Sequence, residues 1–305
     1  MTSASDDSLW SAMTWSGADG TQLFARDYHP PHAVGAPVVC LPGVTRNSRD
    51  FHALAVFLTS RAATPRRVIA MDFRGRGRSG YAPASTYTPQ TELDDVLRGL
   101  DAAEIDKASF VGTSRGGLVI MGLAVTAIDR IGLAILNDIG PRLSREGLQR
   151  ISSYVGAENP ETWDEAIAAL KATQGMCFPK LAGDDWMRLA RQIFREEDGR
   201  PVYDYDPALK EAFEAFGPDA PLPDFWPAFY ELAQVPTLAI RGALSDILST
   251  GTLEAMRLAH PKLSTFVVPD QGHAPLLWTW ATQTQIAEFL DRNDRPQRTR
   301  RAVGA

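Results

Sequence analysis

The chain has 305 residues, 44% hydrophobic and 22% charged, with 31 Lys and Arg against 37 Asp and Glu for a formal net charge of −6. A chain of that length and balance buries a large core without staples, and its acidic surplus argues against nucleic acid, whose partners carry a basic footprint. Two cysteines, Cys40 and Cys177, make neither a disulfide framework nor a zinc site, no run of about 18 apolar residues offers a membrane span, and the polar start at 1–7 is unlike a signal peptide. A cytoplasmic protein is the expectation.

Short apolar runs alternate with longer helical periodicities, which predicts an α/β fold: a mostly parallel sheet with helices on both faces. In chain order, 14–20 and 22–28 read as an antiparallel hairpin at the sheet edge. Runs at 38–41, 68–71, 108–111, 133–136, 237–240 and 265–268 read as strands covered on both faces, because they lack in/out alternation. Helical periodicity fits 48–61, 89–104, 115–128, 249–260 and 281–292, with Pro89 in a first turn after Thr88 as N-cap.

The alternation breaks between about 140 and 235, where helical pieces at 162–173, 186–197 and 207–216 occur among many prolines and no convincing strand. This predicts a core of 1–139 and 236–305, with a helical lid, 140–235, inserted between core strands. The aromatics Tyr154, Trp163, Phe178, Trp186, Tyr203, Tyr205, Phe213, Phe216 and Trp226 are expected mostly to pack a small core there, with about a third facing a pocket. The end, 293–305, is expected to be a solvated tail, with Arg295, Arg298, Arg300 and Arg301 following Arg292.

Gly112-Thr113-Ser114-Arg115-Gly116 follows the apolar run 108–111 and opens a helix. Gly-x-Ser-x-Gly in that strand-turn-helix setting places a serine on a tight turn, where side chains two residues before and after would collide with strand and helix. The helix N-terminus also favours the negative charge that develops when serine attacks a carbonyl. Such a serine needs a base. His29 and His32 lie in a proline-rich loop, His52 begins a helix and His260 ends one. His273, in Gln271-Gly272-His273-Ala274-Pro275, follows the last strand, at the edge where sites of parallel sheets gather. It is the expected base.

The imidazole in turn needs a carboxylate. Asp246 follows the strand at 237–240, in a loop that neighbours that of His273, and the gap between them suits one helix and one strand. Asp138 follows the strand after the serine. Asp246 is the expected acid and Asp138 the alternative.

With these motifs the chain resembles the lid-bearing branch of the α/β-hydrolase superfamily, with its esterases, lactonases and meta-cleavage-product hydrolases, over nearly all of 14–290. Asp72-Phe73-Arg74-Gly75-Arg76-Gly77-Arg78-Ser79 matches that family's Asp-x-Arg-Gly-x-Gly-x-Ser turn. Leu41-Pro42-Gly43-Val44 matches its oxyanion loop, with proline where histidine is common. The resemblance implies an oxyanion hole from the backbone amides of Val44 and Arg115, and it allows either acid position. A serine at 114 argues against the branch members that use a carboxylate nucleophile.

One motif points elsewhere. Gly75-Arg76-Gly77-Arg78-Ser79-Gly80 spells a dinucleotide fingerprint, but Tyr81-Ala82-Pro83 follows where a phosphate-binding helix should open. Its arginines are expected to pair with acids. The resulting expectation is a serine hydrolase, free of cofactor and metal, acting on a small ester, lactone or activated amide through an acyl-enzyme. The alternatives are hydrolysis of a carbon–carbon bond in β-diketone-like ring-cleavage products, and a non-catalytic ligand binder on the same fold. Arg46 and Arg115 flank the expected pocket and suit a carboxylate-bearing substrate, unless they face solvent or pair with acids.

Overall fold

A computed structural model of the chain describes residues 7–211 and 221–294. Its centre is an eight-stranded sheet of β1 (Ser11–Ser16), β2 (Gln22–Tyr28), β3 (Val38–Leu41), β4 (Val68–Asp72), β5 (Ala108–Thr113), β6 (Ile131–Asn137), β9 (Thr237–Gly242) and β10 (Leu263–Val268), in the order β1-β2-β4-β3-β5-β6-β9-β10. β2 runs antiparallel to both β1 and β4. All other neighbours are parallel.

Alternate side chains of the inner strands feed two cores. Val39 and Leu41, Ile69 and Met71, and Ala134 and Leu136 pack with α2 (Pro89–Ala102) and α3 (Arg115–Thr126). Val38 and Cys40, Val68 and Ala70, and Leu133 and Ile135 pack with α1 (His52–Ser60) and α9 (Trp280–Asn293). Both faces are therefore apolar, which is why the runs carry no alternation. β10 departs from that expectation: it is the sheet edge, paired on one side, and its Val267 is exposed. Thr88 caps α2 by accepting the Thr91 N–H, with Pro89 in the first turn, and Ser249 caps α8 (Thr250–Ala259) through the Thr252 N–H.

Between β6 and β9 the chain leaves the sheet. It forms α4 (Arg145–Ser152), α5 (Trp163–Gln174), α6 (Asp184–Ile193), β7 (Phe194–Glu197), β8 (Arg200–Tyr203) and α7 (Trp226–Leu232). The helix expected over 186–197 stops at Ile193, and the rest pairs as an antiparallel hairpin, with Glu197 opposite Arg200. Asp198 and Gly199 both take positive φ, 49° and 80°, the two-residue turn that Asp-Gly favours. α5 and α6 share a small core with Phe178, Phe194 and Leu276. α7 lies elsewhere, packed on α3 with Phe229 and Leu232 fully buried in the larger core. Residues 207–210 form a 3₁₀ turn. Phe213 and Phe216, and Arg295 to Arg301 of the basic end, lie outside the described residues.

Candidate active site

Ser114 sits between β5 and α3 with φ 50° and ψ −110°, a conformation that persists only where the surroundings impose it. The neighbouring glycines make it possible. A Cβ on Gly116 would stand 2.1 Å from the Leu41 carbonyl oxygen, and one on Gly112 would stand 2.5 Å from the Gly116 carbonyl carbon. The elbow thus turns where β3, β5 and α3 meet backbone to backbone.

Ser114 Oγ lies 2.9 Å from His273 Nε2. The other ring nitrogen, Nδ1, lies 2.9 Å from Asp138 Oδ2. The histidine loop is held on three sides. Asn137 Nδ2 donates to the Pro275 carbonyl at 3.0 Å, the Leu276 N–H to Gln271 Oε1 at 2.7 Å, and the Gly272 N–H to the Cys177 carbonyl at 2.6 Å.

The expected acid, Asp246, is not the one that meets the ring. Arg150 of α4 takes the Asp246 carboxylate in two hydrogen bonds, Nε to Oδ2 at 2.5 Å and Nη2 to Oδ1 at 2.9 Å. Burial alone would raise the Asp246 pKa, but the hydrogen bond and charge of Arg150 outweigh it and hold the carboxyl below its ordinary value. Asp138 has the better address because β6 lies between β5 and β9. The residue just past its end therefore falls beside both the serine turn and the turn after β9. There Oδ1 accepts the Gly242 N–H at 2.7 Å, and Oδ2 accepts the Ser245 hydroxyl at 2.6 Å as well as the ring. Asp138 is fully buried, with φ 58°. Gly242 and Ser245 carried no signal in the sequence.

Val44 follows β3 and borders Ser114, and its carbonyl accepts the Arg76 Nε–H at 2.7 Å. Arg115 is the first residue of α3, so its amide has no acceptor within the helix. Their side-chain surroundings are linked. Fully buried Glu92 meets Arg76 Nη1 at 3.0 Å with one oxygen and Arg115 Nε at 2.6 Å with the other. Arg115 Nη2 also donates to the Tyr87 carbonyl at 2.9 Å. Arg46 lines the cleft but pairs with Asp50, with Nε to Oδ2 at 2.8 Å. Both flanking arginines thus meet acids.

The glycine run 75–80 closes on the Asp72 carboxylate, which accepts the Ser48 and Arg78 N–H groups at 2.6 and 2.9 Å. A Cβ on Gly77 would stand 2.2 Å from Asp72 Oδ2, and the next α-helix begins only at Pro89. Arg74 pairs with Asp95 and Asp19, and Arg76 with Glu92, whereas Arg78 lies over the rings of Trp10 and Phe24.

Two hollows border Ser114. A cleft of about 990 Å³, open mouth included, carries His273, Thr45, Arg46, Tyr154, Gln174 and Gln192 on its walls, with Phe178, Tyr203 and Tyr205 among the inserted segment's aromatics. Burial raises the pKa of Tyr154 and Tyr203, and pushes Tyr205 up to about 12, so all three keep their hydroxyl protons at neutral pH. The second hollow, about 590 Å³ with its open mouth included, is lined mainly by aliphatic side chains and shares Val44, Ser114 and Ile151 with the first. Among the described residues no group of three or more His, Cys, Asp or Glu is placed to hold a metal ion, and no helix is long and apolar enough to cross a membrane.

The model of the alpha/beta hydrolase family matches residues 38–287. The 3-hydroxybutyrate-oligomer hydrolase of Cupriavidus necator is 33% identical over 259 residues, 82% of this chain and 85% of its own. The 2-(acetamidomethylene)succinate hydrolase of Mesorhizobium japonicum is 26% identical over 76% of this chain and 79% of its own. The crystal structure of an alpha/beta hydrolase from Novosphingobium aromaticivorans superposes with a TM-score of 0.85 at 39% identity, over 93% of this chain and 99% of that one.

Proposed function

Because the chain belongs to the alpha/beta hydrolase family, we propose that it is a serine hydrolase of a small carboxylic ester or lactone, working through an acyl-enzyme. The observation that carries the reading is the unbroken chain Ser114 Oγ, His273, Asp138, at 2.9 Å in each link, ending in a cleft. In the neutral ring Nδ1–H donates to Asp138 and Nε2 accepts from the Ser114 hydroxyl. Ser114 Oγ attacks the substrate carbonyl as Nε2 takes its proton, and the buried Asp138 carboxylate stabilises the imidazolium. The oxyanion forms against the amides of Val44 and Arg115 at the head of α3. As the C–O bond breaks, Nε2 returns its proton to the leaving oxygen. Nε2 then takes a proton from water, whose oxygen attacks the acyl carbon, and Ser114 Oγ leaves reprotonated with the acid as product.

The relative that acts on 3-hydroxybutyrate oligomers supports an oxygen ester as the scissile bond. Segment 140–211 acts as a lid, its Tyr154, Phe178, Tyr203 and Tyr205 walling the cleft. Arg46 on the cleft wall is held by Asp50, so it is already paired and does not by itself call for a substrate carboxylate.

The test is labelling with a fluorophosphonate, together with hydrolysis of a panel of esters, lactones, amides and dienones. The expected result is stoichiometric labelling at Ser114, with ester or lactone turnover that falls at least about a thousandfold in Ser114→Ala. Turnover of dienones alone would assign the chain to carbon–carbon cleavage, and absence of labelling to ligand binding.

A further inference from the structure

We propose that the apolar hollow beside Ser114 receives the acyl group of the substrate, so that the enzyme selects uncharged aliphatic acyl chains while the expelled group occupies the cleft. This rests on the serine-hydrolase reading above and adds which side of the scissile bond lies where.

The direction follows from the proton. When the C–O bond breaks, the leaving oxygen must lie within hydrogen-bond reach of His273 Nε2, the group that carries the proton taken from Ser114. His273 is on the wall of the cleft and not of the apolar hollow. The leaving group therefore lies in the cleft. What stays bonded to Ser114 Oγ after departure needs the other space that Ser114 borders.

The chemistry of that space sets the class of acyl group. Its walls are Leu118 of α3, Ile139 and Leu143 after β6, Leu148 and Ile151 of α4, and Ile247 after β9. Gly147 lets α4 settle on this last loop, since a Cβ there would stand 2.4 Å from Ile247 Cδ1. Besides Ser114, two polar side chains border the hollow, and both are engaged. The Tyr87 hydroxyl donates to Asp206 Oδ2 at 2.5 Å and accepts the Ala82 N–H at 2.9 Å, and the Arg115 guanidinium is held by Glu92 and the Tyr87 carbonyl. A carboxylate entering here would lose its water and meet aliphatic walls, whereas the cleft offers the polar side chains of Thr45, Gln174 and Gln192.

The experiment compares 4-nitrophenyl acetate, butanoate, hexanoate and hemisuccinate, and separately a set of acetates differing in their alcohol, for the wild type, Leu148→Trp and Leu143→Ala. Expected for the wild type is a rise in kcat/KM of roughly fourfold per methylene from acetate to butanoate, with the hemisuccinate at least about a hundredfold below butanoate. Leu148→Trp should lower the hexanoate-to-acetate ratio at least about tenfold, and Leu143→Ala should raise it. The ranking of the alcohol set should stay the same in both. Leu148 is half-buried, which leaves the larger ring room at its rim. Should that variant fail to fold, the wild-type series and Leu143→Ala still decide. Substitutions that reorder the alcohols and leave the acyl ratios untouched would overturn the assignment, as would equal turnover of hemisuccinate and butanoate. If Ser114 is unlabelled by the fluorophosphonate and no ester is cleaved, the hydrolase reading itself has failed and the assignment falls with it.

Discussion

Asp138 Oδ2 stands 2.9 Å from His273 Nδ1 across 135 residues of chain, and the same carboxylate also accepts the Gly242 amide at Oδ1 and the Ser245 hydroxyl at Oδ2. Every group facing it is a donor. An asparagine at this position must turn its amide hydrogens towards one of them. Asp138→Asn is therefore expected to lower kcat about 10⁴-fold, the scale seen when a triad acid is replaced by its amide. Asp246→Asn should change kcat less than about tenfold. Steady-state kinetics of the two variants checks this, and the opposite ranking would return the acid role to Asp246.

Glu92 is fully buried between Arg76, which holds the Val44 carbonyl, and Arg115. Removing its charge leaves a buried guanidinium uncompensated, and breaking such pairs costs about 3–5 kcal/mol. Glu92→Gln should lose stability on that scale in urea titration. Because the two segments tied through Glu92 carry the proposed oxyanion amides, its kcat should fall more than its KM changes. An unchanged urea midpoint would contradict the expectation.

The glycines of the chain divide by what surrounds them. Gly116→Ala places a Cβ 2.1 Å from backbone at Leu41 and should destabilise by about 3 kcal/mol or more, the upper range for overpacking. Gly251, near the start of α8, meets nothing nearer than Ser249 Oγ at 3.9 Å. Gly251→Ala should stabilise by about 0.4–1 kcal/mol through the unfolded chain. Thermal melts of both variants test the contrast.

His260 is buried, with Nδ1 accepting the Lys262 N–H at 3.2 Å and Nε2 therefore donating to Thr237 Oγ1 at 3.0 Å. Burial lowers its pKa from 6.5, with Lys262 adding to the effect. A histidine held neutral by folding contributes its full stability above the unfolded value, and that stability is lost as pH falls from about 6.5 towards the lowered folded value. The melting temperature should drop between pH 7 and pH 5, and His260→Gln should flatten that drop. An identical pH profile in the variant would exclude this histidine as the cause.

The parallel strands and main helices were legible because each is apolar on the faces it buries, with caps such as Thr88 and Ser249 at the helix starts. The meeting of Ser114 with His273 was legible because their settings are local: a strand, a turn and a helix for one, the loop past the last strand for the other. The choice of acid was not. It depends on β6 lying between β5 and β9 and on Arg150 engaging Asp246 from a helix 96 residues earlier. The hairpin at 194–203 was not read from the sequence: the Asp198-Gly199 pair marks its turn, but the helical periodicity running up to it concealed the strand. α4, which roofs the apolar hollow, spans only eight residues, too few for its period to stand out in the sequence.

The separation of Ser114 from His273 also orders events during synthesis. The serine turn, with β3 and β5 on either side of it, leaves the ribosome 159 residues before the proposed base, and the donors that fill the Asp138 carboxylate arrive only with Gly242 and Ser245. Domains generally fold as units, so a nascent chain that has the serine turn but not the histidine loop is expected to be chemically silent. Under the proposed mechanism, reactivity at Ser114 is expected only once the last strand and its loop have docked. A ribosome-stalled chain ending between β9 and β10 would therefore resist fluorophosphonates, and one carrying the whole sequence plus a tunnel-length linker would react.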